Sequence, residues 1–137
     1  MGRIVAIDYG LKRTGIAVSD PERIIARALQ TVPTSEALPF LKKYCYEEKV
    51  DCIIVGMPRK TDGTESEISP HVKKFIAELK KNIAGMEVKE EDERFTSVIA
   101  QRSLIYSGVK KMKRRDKSLV DMTSAAILLQ GYLERIK

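Results

Sequence analysis

Asp8 closes the apolar run Ile4-Val5-Ala6-Ile7 and is followed at once by the turn Tyr9-Gly10. A β-branched run stopped by glycine reads as a buried strand, and a charge at the exit of such a strand is costly without a partner. Asp8 therefore suggests a metal or phosphate site, with a solvent-facing turn acid as the plainer alternative. Gly10 allows a tight turn and a close approach to a ligand, while Lys12 and Arg13 offer positive charge to a phosphate. A second acidic cluster, Asp92-Glu93 with Arg94, stands where a strand should end and a helix begin near Thr96. Acids there can hold a cation or simply favour the positive end of the helix. The third acid, Asp121, falls on one helical stripe with Ala125, Leu128 and Tyr132, although Ser118 to Asp121 also fits a capping box. Two strand ends and one helix that gather acids in this way make the kind of site that binds two metal ions for phosphodiester hydrolysis. One ion would activate water and the other would stabilise the leaving oxygen.

The elements that must position these acids follow from apolar spacing. Strands are predicted at Arg3 to Asp8, Thr14 to Ser19 and, more weakly, Ile24 to Thr31, with turns at Gly10 and Asp20-Pro21, which is the pattern of an antiparallel meander. Leu38, Leu41, Tyr44 and Cys45 recur at helical spacing between Thr34 and Glu48, after Pro33 and a Thr34/Ser35 start signal. The continuous run Cys52-Ile53-Ile54-Val55 reads as a strand buried on both faces and stopped at Gly56-Met57-Pro58. Val72, Phe75, Ile76 and Leu79 define a helix begun near Ser69 and ended before Gly85. Met86 to Glu91 is a strand candidate weakened by its charge, and helices are expected from about 96 to 106 and from about 118 to 136. In the last of these the run Thr123-Ser124-Ala125-Ala126 would let the helix lie close against a sheet. The order is that of an α/β domain, a mixed sheet covered by helices.

At 137 residues and 15.5 kDa the chain fits one domain spanning residues 1–137, too small for two substantial lobes. A net charge of +6 and a pI near 9.3 make nucleic acid the first partner to consider. The run Lys110, Lys111, Met112, Lys113, Arg114, Arg115 lacks interleaved aromatics for base stacking, yet suits sequence-independent contact with phosphates. Cys45 and Cys52 form neither a zinc pattern nor a disulfide framework and read as buried free thiols. His71, the only histidine, reads as a surface residue, so Ser-His-Asp chemistry has no support. With no signal core and no membrane-length segment, a cytoplasmic location is expected.

The motifs together resemble the YqgF/RuvX-like proteins, known as Holliday junction resolvase-like proteins and as nucleases that mature the 5′ end of pre-16S ribosomal RNA. The matching pieces are Ile7-Asp8-Tyr9-Gly10 with Arg13 and Gly15, Val55-Gly56-Met57-Pro58 with Asp62-Gly63-Thr64, Asp92-Glu93-Arg94-Phe95-Thr96, and Asp121 with Ser124-Ala125-Ala126. The resemblance implies an RNase H-like fold: three antiparallel strands, then parallel additions, with helices on both faces. It also implies an acidic site at Asp8, Glu93 and Asp121, with Asp92 in reserve because adjacent strand residues point to opposite faces. Two departures stand out: Glu90-Glu91 where an apolar residue is usual, and Thr14 where a larger apolar residue is common.

The expectation is thus a nuclease dependent on Mg²⁺ or Mn²⁺, monomer or homodimer, acting on structured nucleic acid. Lys12, Arg13, Arg94 and the basic residues Lys110, Lys111, Lys113, Arg114 and Arg115 would contact the substrate. Precursor ribosomal RNA, in the setting of ribosomal precursor particles, is the preferred substrate and four-way DNA the runner-up. The rivals are a ribosomal-RNA-binding factor without turnover and a kinase-like nucleotide module, whose usual two lobes do not fit this length.

Overall fold

A computed structural model describes residues 2–57, 67–92 and 117–136. Its strands are β1 (Arg3–Asp8), β2 (Arg13–Ser19), β3 (Ala26–Pro33), β4 (Val50–Met57) and β5 (Glu87–Asp92). The helices are α1 (Thr34–Glu47), α2 (Ser69–Asn82) and α3 (Lys117–Arg135). The strands form one mixed sheet in the order β3-β2-β1-β4-β5. β1 and β2, and β2 and β3, pair antiparallel, whereas β4 joins β1 and β5 joins β4 in parallel. This is the expected meander followed by parallel additions.

The most apolar runs occupy the middle because only central strands are covered on both faces. Strand alternation divides their side chains between two cores. Val5, Ile7, Ile16, Val18, Ile53, Val55 and Met57 pack with Leu41 of α1 and with Val72, Phe75, Ile76 and Leu79 of α2. Ile4, Ala6, Ala17, Cys52 and Ile54 pack on the other face with Ala125, Leu128, Leu129, Tyr132 and Leu133 of α3. Burying one such Ile or Leu contributes about 1.5–3 kcal/mol. Ala6 and Ala17 of the sheet share this core with Ala125 of α3, small residues on both surfaces that let the helix lie close to the sheet.

The direction of α3 follows from two anchors. The Ala26 N–H, at the start of β3, donates to Gln130 Oε1 at 3.0 Å. Ala26 pairs with Ser19, whose hydroxyl accepts the Ile4 N–H at 2.9 Å, so Gln130 lies over the amino end of β1. Ser124 and Ala125, earlier in the helix, are still fully buried over the sheet. The helix must therefore run from the carboxyl edge of the parallel strands toward their amino edge. The nine helical steps from position 130 back to 121 rise about 13 Å, close to the length of strand from Ile4 to Asp8 at about 3.3 Å per residue.

Boundaries moved where local hydrogen bonding outweighed apolar pattern. β3 begins at Ala26 rather than Ile24, because the Asp20 carboxylate accepts the Ile24 and Ile25 N–H groups at 2.7 and 2.9 Å and prolongs the turn. Arg23 there adopts a left-handed φ of 61° and is held by an ion pair with Asp51 at 2.7 Å. β4 continues through Gly56 to Met57 because both pair with β5. α2 begins at Ser69 with Ile68 in the capping position and no side-chain cap, the Ser69 side chain being buried instead. β5 forms despite its charges, which it carries as an outer strand: Lys89 binds Glu87 at 2.9 Å and the Tyr132 hydroxyl at 3.1 Å, while Val88 turns to the α1/α2 core. Both cysteines are free, but only Cys52 is buried; Cys45, near the end of α1, is half-buried.

Candidate acidic site at the sheet edge

Asp8 is the last residue of β1 and half-buried. It continues the Ile4-Ala6 alternation and so belongs to the face covered by α3. Its partner on β2 is Gly15. On the other side, one step beyond the Ile7–Val55 pair, stands Gly56 of β4, which itself pairs with Glu91 of β5. The carboxylate thus has glycine on both neighbouring strands. Among the described residues, the two strand positions that flank Asp8 therefore carry no side chain.

The turn behind Asp8 is fixed from α1. A Cβ on Gly10 would overlap the Arg13 carbonyl oxygen, so only glycine fits there. The Thr34 hydroxyl donates to the Gly10 carbonyl at 2.5 Å, and the Thr34 N–H donates to the Lys12 carbonyl at 3.0 Å. Since the Thr34 hydroxyl has a single proton, the 2.9 Å contact between it and Thr14 must be donated by Thr14. Thr14 is fully buried, so the residue that departs from the family pattern has a structural partner. Lys12 and Leu11 are exposed at the tip of the turn and Arg13 is half-buried at the start of β2. Tyr9 packs on Phe75 with ring centroids 5.0 Å apart. Burial, reinforced by the charge of Glu78, pushes its phenol above the usual tyrosine range.

Asp92 ends β5 opposite Met57, on the same carboxyl edge as Asp8 and two strands away, or about 10 Å at the usual strand spacing. In β5 the odd positions share the α3 face: Glu87 approaches Cys52, Lys89 lies over the Tyr132 ring, and Glu91 pairs with Gly56. Asp121 belongs to the first turns of α3, the end of the helix directed to that same edge. Glu93, Arg94 and the basic residues Lys110, Lys111, Lys113, Arg114 and Arg115 lie outside the described residues, as does the helix expected from 96 to 106. Among the described residues no three His, Cys, Asp or Glu side chains are grouped to hold a metal, and the expected set draws on positions beyond them. His71 is exposed, as expected, on the first turn of α2. No described helix is long and apolar enough to cross a membrane.

Sequence reasoning missed the part played by Thr34, whose hydroxyl turns away from its own helix to hold the β1–β2 turn. It also missed that the two glycines flank Asp8, since their placement there depends on pairing register. Ser124 was noticed only as a small residue. The residue is 1 % exposed, and its hydroxyl has no hydrogen-bond partner among the described residues.

A meander extended by parallel strands, with an acid at the exit of the central strand and a closing helix over one face, defines the RNase H-like class. In agreement, T. thermophilus RuvC, solved in complex with a Holliday junction substrate, superposes with a TM-score of 0.61 at 17 % identity, over 99 % of this chain and 96 % of that one. The chain belongs to the RuvX family, described as Holliday junction resolvase, whose model matches residues 2–135. A Bacteroides fragilis protein named "Putative pre-16S rRNA nuclease" is 52 % identical over 98 % of this chain and 97 % of its own length. A protein of the same name from Azobacteroides pseudotrichonymphae is 50 % identical over 100 % and 99 %.

Proposed function

We propose that residues 1–137 act as a single cytoplasmic domain, a metal-dependent nuclease that cleaves phosphodiester bonds in structured nucleic acid, with precursor 16S ribosomal RNA as substrate and its 5′ end as the region matured. The observation that carries this reading is the half-buried Asp8 set between Gly15 and Gly56 at the carboxyl edge of the sheet. The names of the half-identical relatives favour ribosomal RNA. The family description and the RuvC fold favour four-way DNA as the second reading.

The residues fit a hard divalent ion: their donors are carboxylates, and the strand positions on both sides of Asp8 are glycines. Asp8, Glu93 and Asp121 would hold Mg²⁺ or Mn²⁺. Glu93 is preferred, with Asp92 in reserve, on the resemblance of the Asp92-Glu93-Arg94 motif to that of the family. Bound there, the ion would activate water and stabilise the leaving oxygen. Asp8 sits on backbone held by the β1–β2 ladder and by the turn that Thr34 fixes, which would limit the reorganisation needed to present its carboxylate. Lys12 and Arg13, in and just after the turn that follows the acid, would position the phosphate; Arg94 and the basic residues Lys110, Lys111, Lys113, Arg114 and Arg115 would grip the nucleic-acid backbone.

The test sets precursor 16S RNA beside a four-way DNA junction, each with Mn²⁺ and with chelator. Wild-type protein should cut the RNA only with metal. Asp8→Asn should lose more than about 100-fold in rate while keeping its salt-sensitive binding. Cleavage that persists in the variant would exclude the metal mechanism, preferential cutting of the junction would transfer the assignment to DNA, and tight binding without cleavage by wild type would favour a factor without turnover.

A further inference from the structure

The Ser124 side chain is the one buried side-chain polar atom without a partner among the described residues. A buried hydroxyl normally finds one, at least the carbonyl of its own helix a turn earlier, because leaving it unpaired costs stability. Ser124 stands three residues after Asp121, and positions i and i+3 share one face of a helix. It is 1 % exposed, on the half of α3 that lies over the carboxyl edge of the sheet where Asp8 ends β1. Alanine would fit the same space, favour the helix more and remove the unmatched hydroxyl. A buried hydroxyl kept without a partner from the described residues points to a partner that arrives with the ion.

We propose that Ser124 is a positioning residue for the divalent-cation site, its hydroxyl hydrogen-bonding an oxygen of the loaded centre, either a ligand carboxylate or a water held by the ion. This rests on the metal-dependent reading above. The hydroxyl acts through the ligand or water it orients, in the way that outer partners of metal ligands fix their direction and raise affinity. The metal-free fold carries the cost of the unmatched group, and metal binding removes it.

Thermal unfolding and Mn²⁺ titration of the wild-type chain and of Ser124→Ala, in chelator and in metal, test this without reference to cleavage. In chelator the variant should melt at or above the wild-type temperature, because alanine deletes an unsatisfied hydroxyl. Its Mn²⁺ dissociation constant should rise about tenfold or more, and its metal-induced gain in melting temperature should shrink accordingly. A variant that melts clearly lower in chelator would show that the hydroxyl serves the metal-free fold, and unchanged Mn²⁺ affinity would show that it does not serve the ion; either overturns the inference and leaves the nuclease reading standing. Failure of wild type itself to bind Mn²⁺ would overturn both.

Discussion

Asp8 and Thr34 show how a site is fixed one residue at a time. The acid is held by its strand, but the turn that sets the direction of the chain beyond it depends on a hydroxyl from α1 that accepts from Thr14 and donates to Gly10. Thr34→Val keeps the shape and deletes the bonding, leaving the Thr14 hydroxyl and the Gly10 carbonyl short of a partner. The expected loss is about 1–3 kcal/mol, read as a lower urea midpoint with unchanged slope. Cleavage should fall further than RNA binding, because the turn carries Lys12 and leads out of Asp8. Equal stability of the variant would show that these bonds are made as well by water. The sequence marked Thr34 as a helix start and Thr14 as a departure, but not that each explains the other. That link exists only once β1 and β2 pair and α1 packs beneath their turn.

Among the elements, α3 decides whether the site exists, since it must bring position 121 to the edge where β1 ends. Leu129 is fully buried between α3 and the sheet. Leu129→Ala should cost about 2–5 kcal/mol, seen as a large drop in the denaturation midpoint; a change below about 0.5 kcal/mol would mean that the helix is held elsewhere. Most elements were legible because their periodicity was strong: Arg3–Asp8 was read to the residue, and the α2 stripe from Val72 to Leu79 faces the core as expected. The start of β3 was misplaced because apolar Ile24 and Ile25 resemble a strand, whereas the Asp20 carboxylate ties their N–H groups into a turn. β5 looked doubtful from Glu90 and Glu91, yet an outer strand tolerates alternating charge when a helix residue such as Tyr132 receives the Lys89 ammonium. The acid of β1 was legible from its place at a strand exit. Its glycine neighbours were legible as residues but not as its flanks, because register across a parallel pair leaves no local mark.

At the scale of the whole molecule, burial gives the fold a common alkaline weakness. It raises the Cys45 and Cys52 thiols and the Tyr9 and Tyr44 phenols above their ordinary values, with Glu87 adding to the effect at Cys52 and Glu78 at Tyr9. Lys89 is raised as well, first by its hydrogen bond to Glu87 and then by that to Tyr132. Each group holds its proton more tightly folded than unfolded. Its contribution is therefore complete below the unfolded value and is lost as pH rises toward the folded one. The unfolding temperature should decline first above about pH 8.5, where unfolded thiols ionise, and more steeply above about pH 10, where tyrosines join them. Replacing both cysteines by alanine should remove the first part of that slope and leave the second; an unchanged profile would mean that the thiols ionise alike in both states.

The +6 charge favours attraction of polyanions, but the proposed hydrolysis would rest on three acids meeting in one place. Mn²⁺ binding followed by electron paramagnetic resonance, on wild type and on Asp8→Asn, Glu93→Gln and Asp121→Asn, examines that meeting directly. The expected result is binding by wild type and a loss of at least about tenfold in affinity for each variant; Asp121→Asn binding Mn²⁺ as tightly as wild type would contradict it.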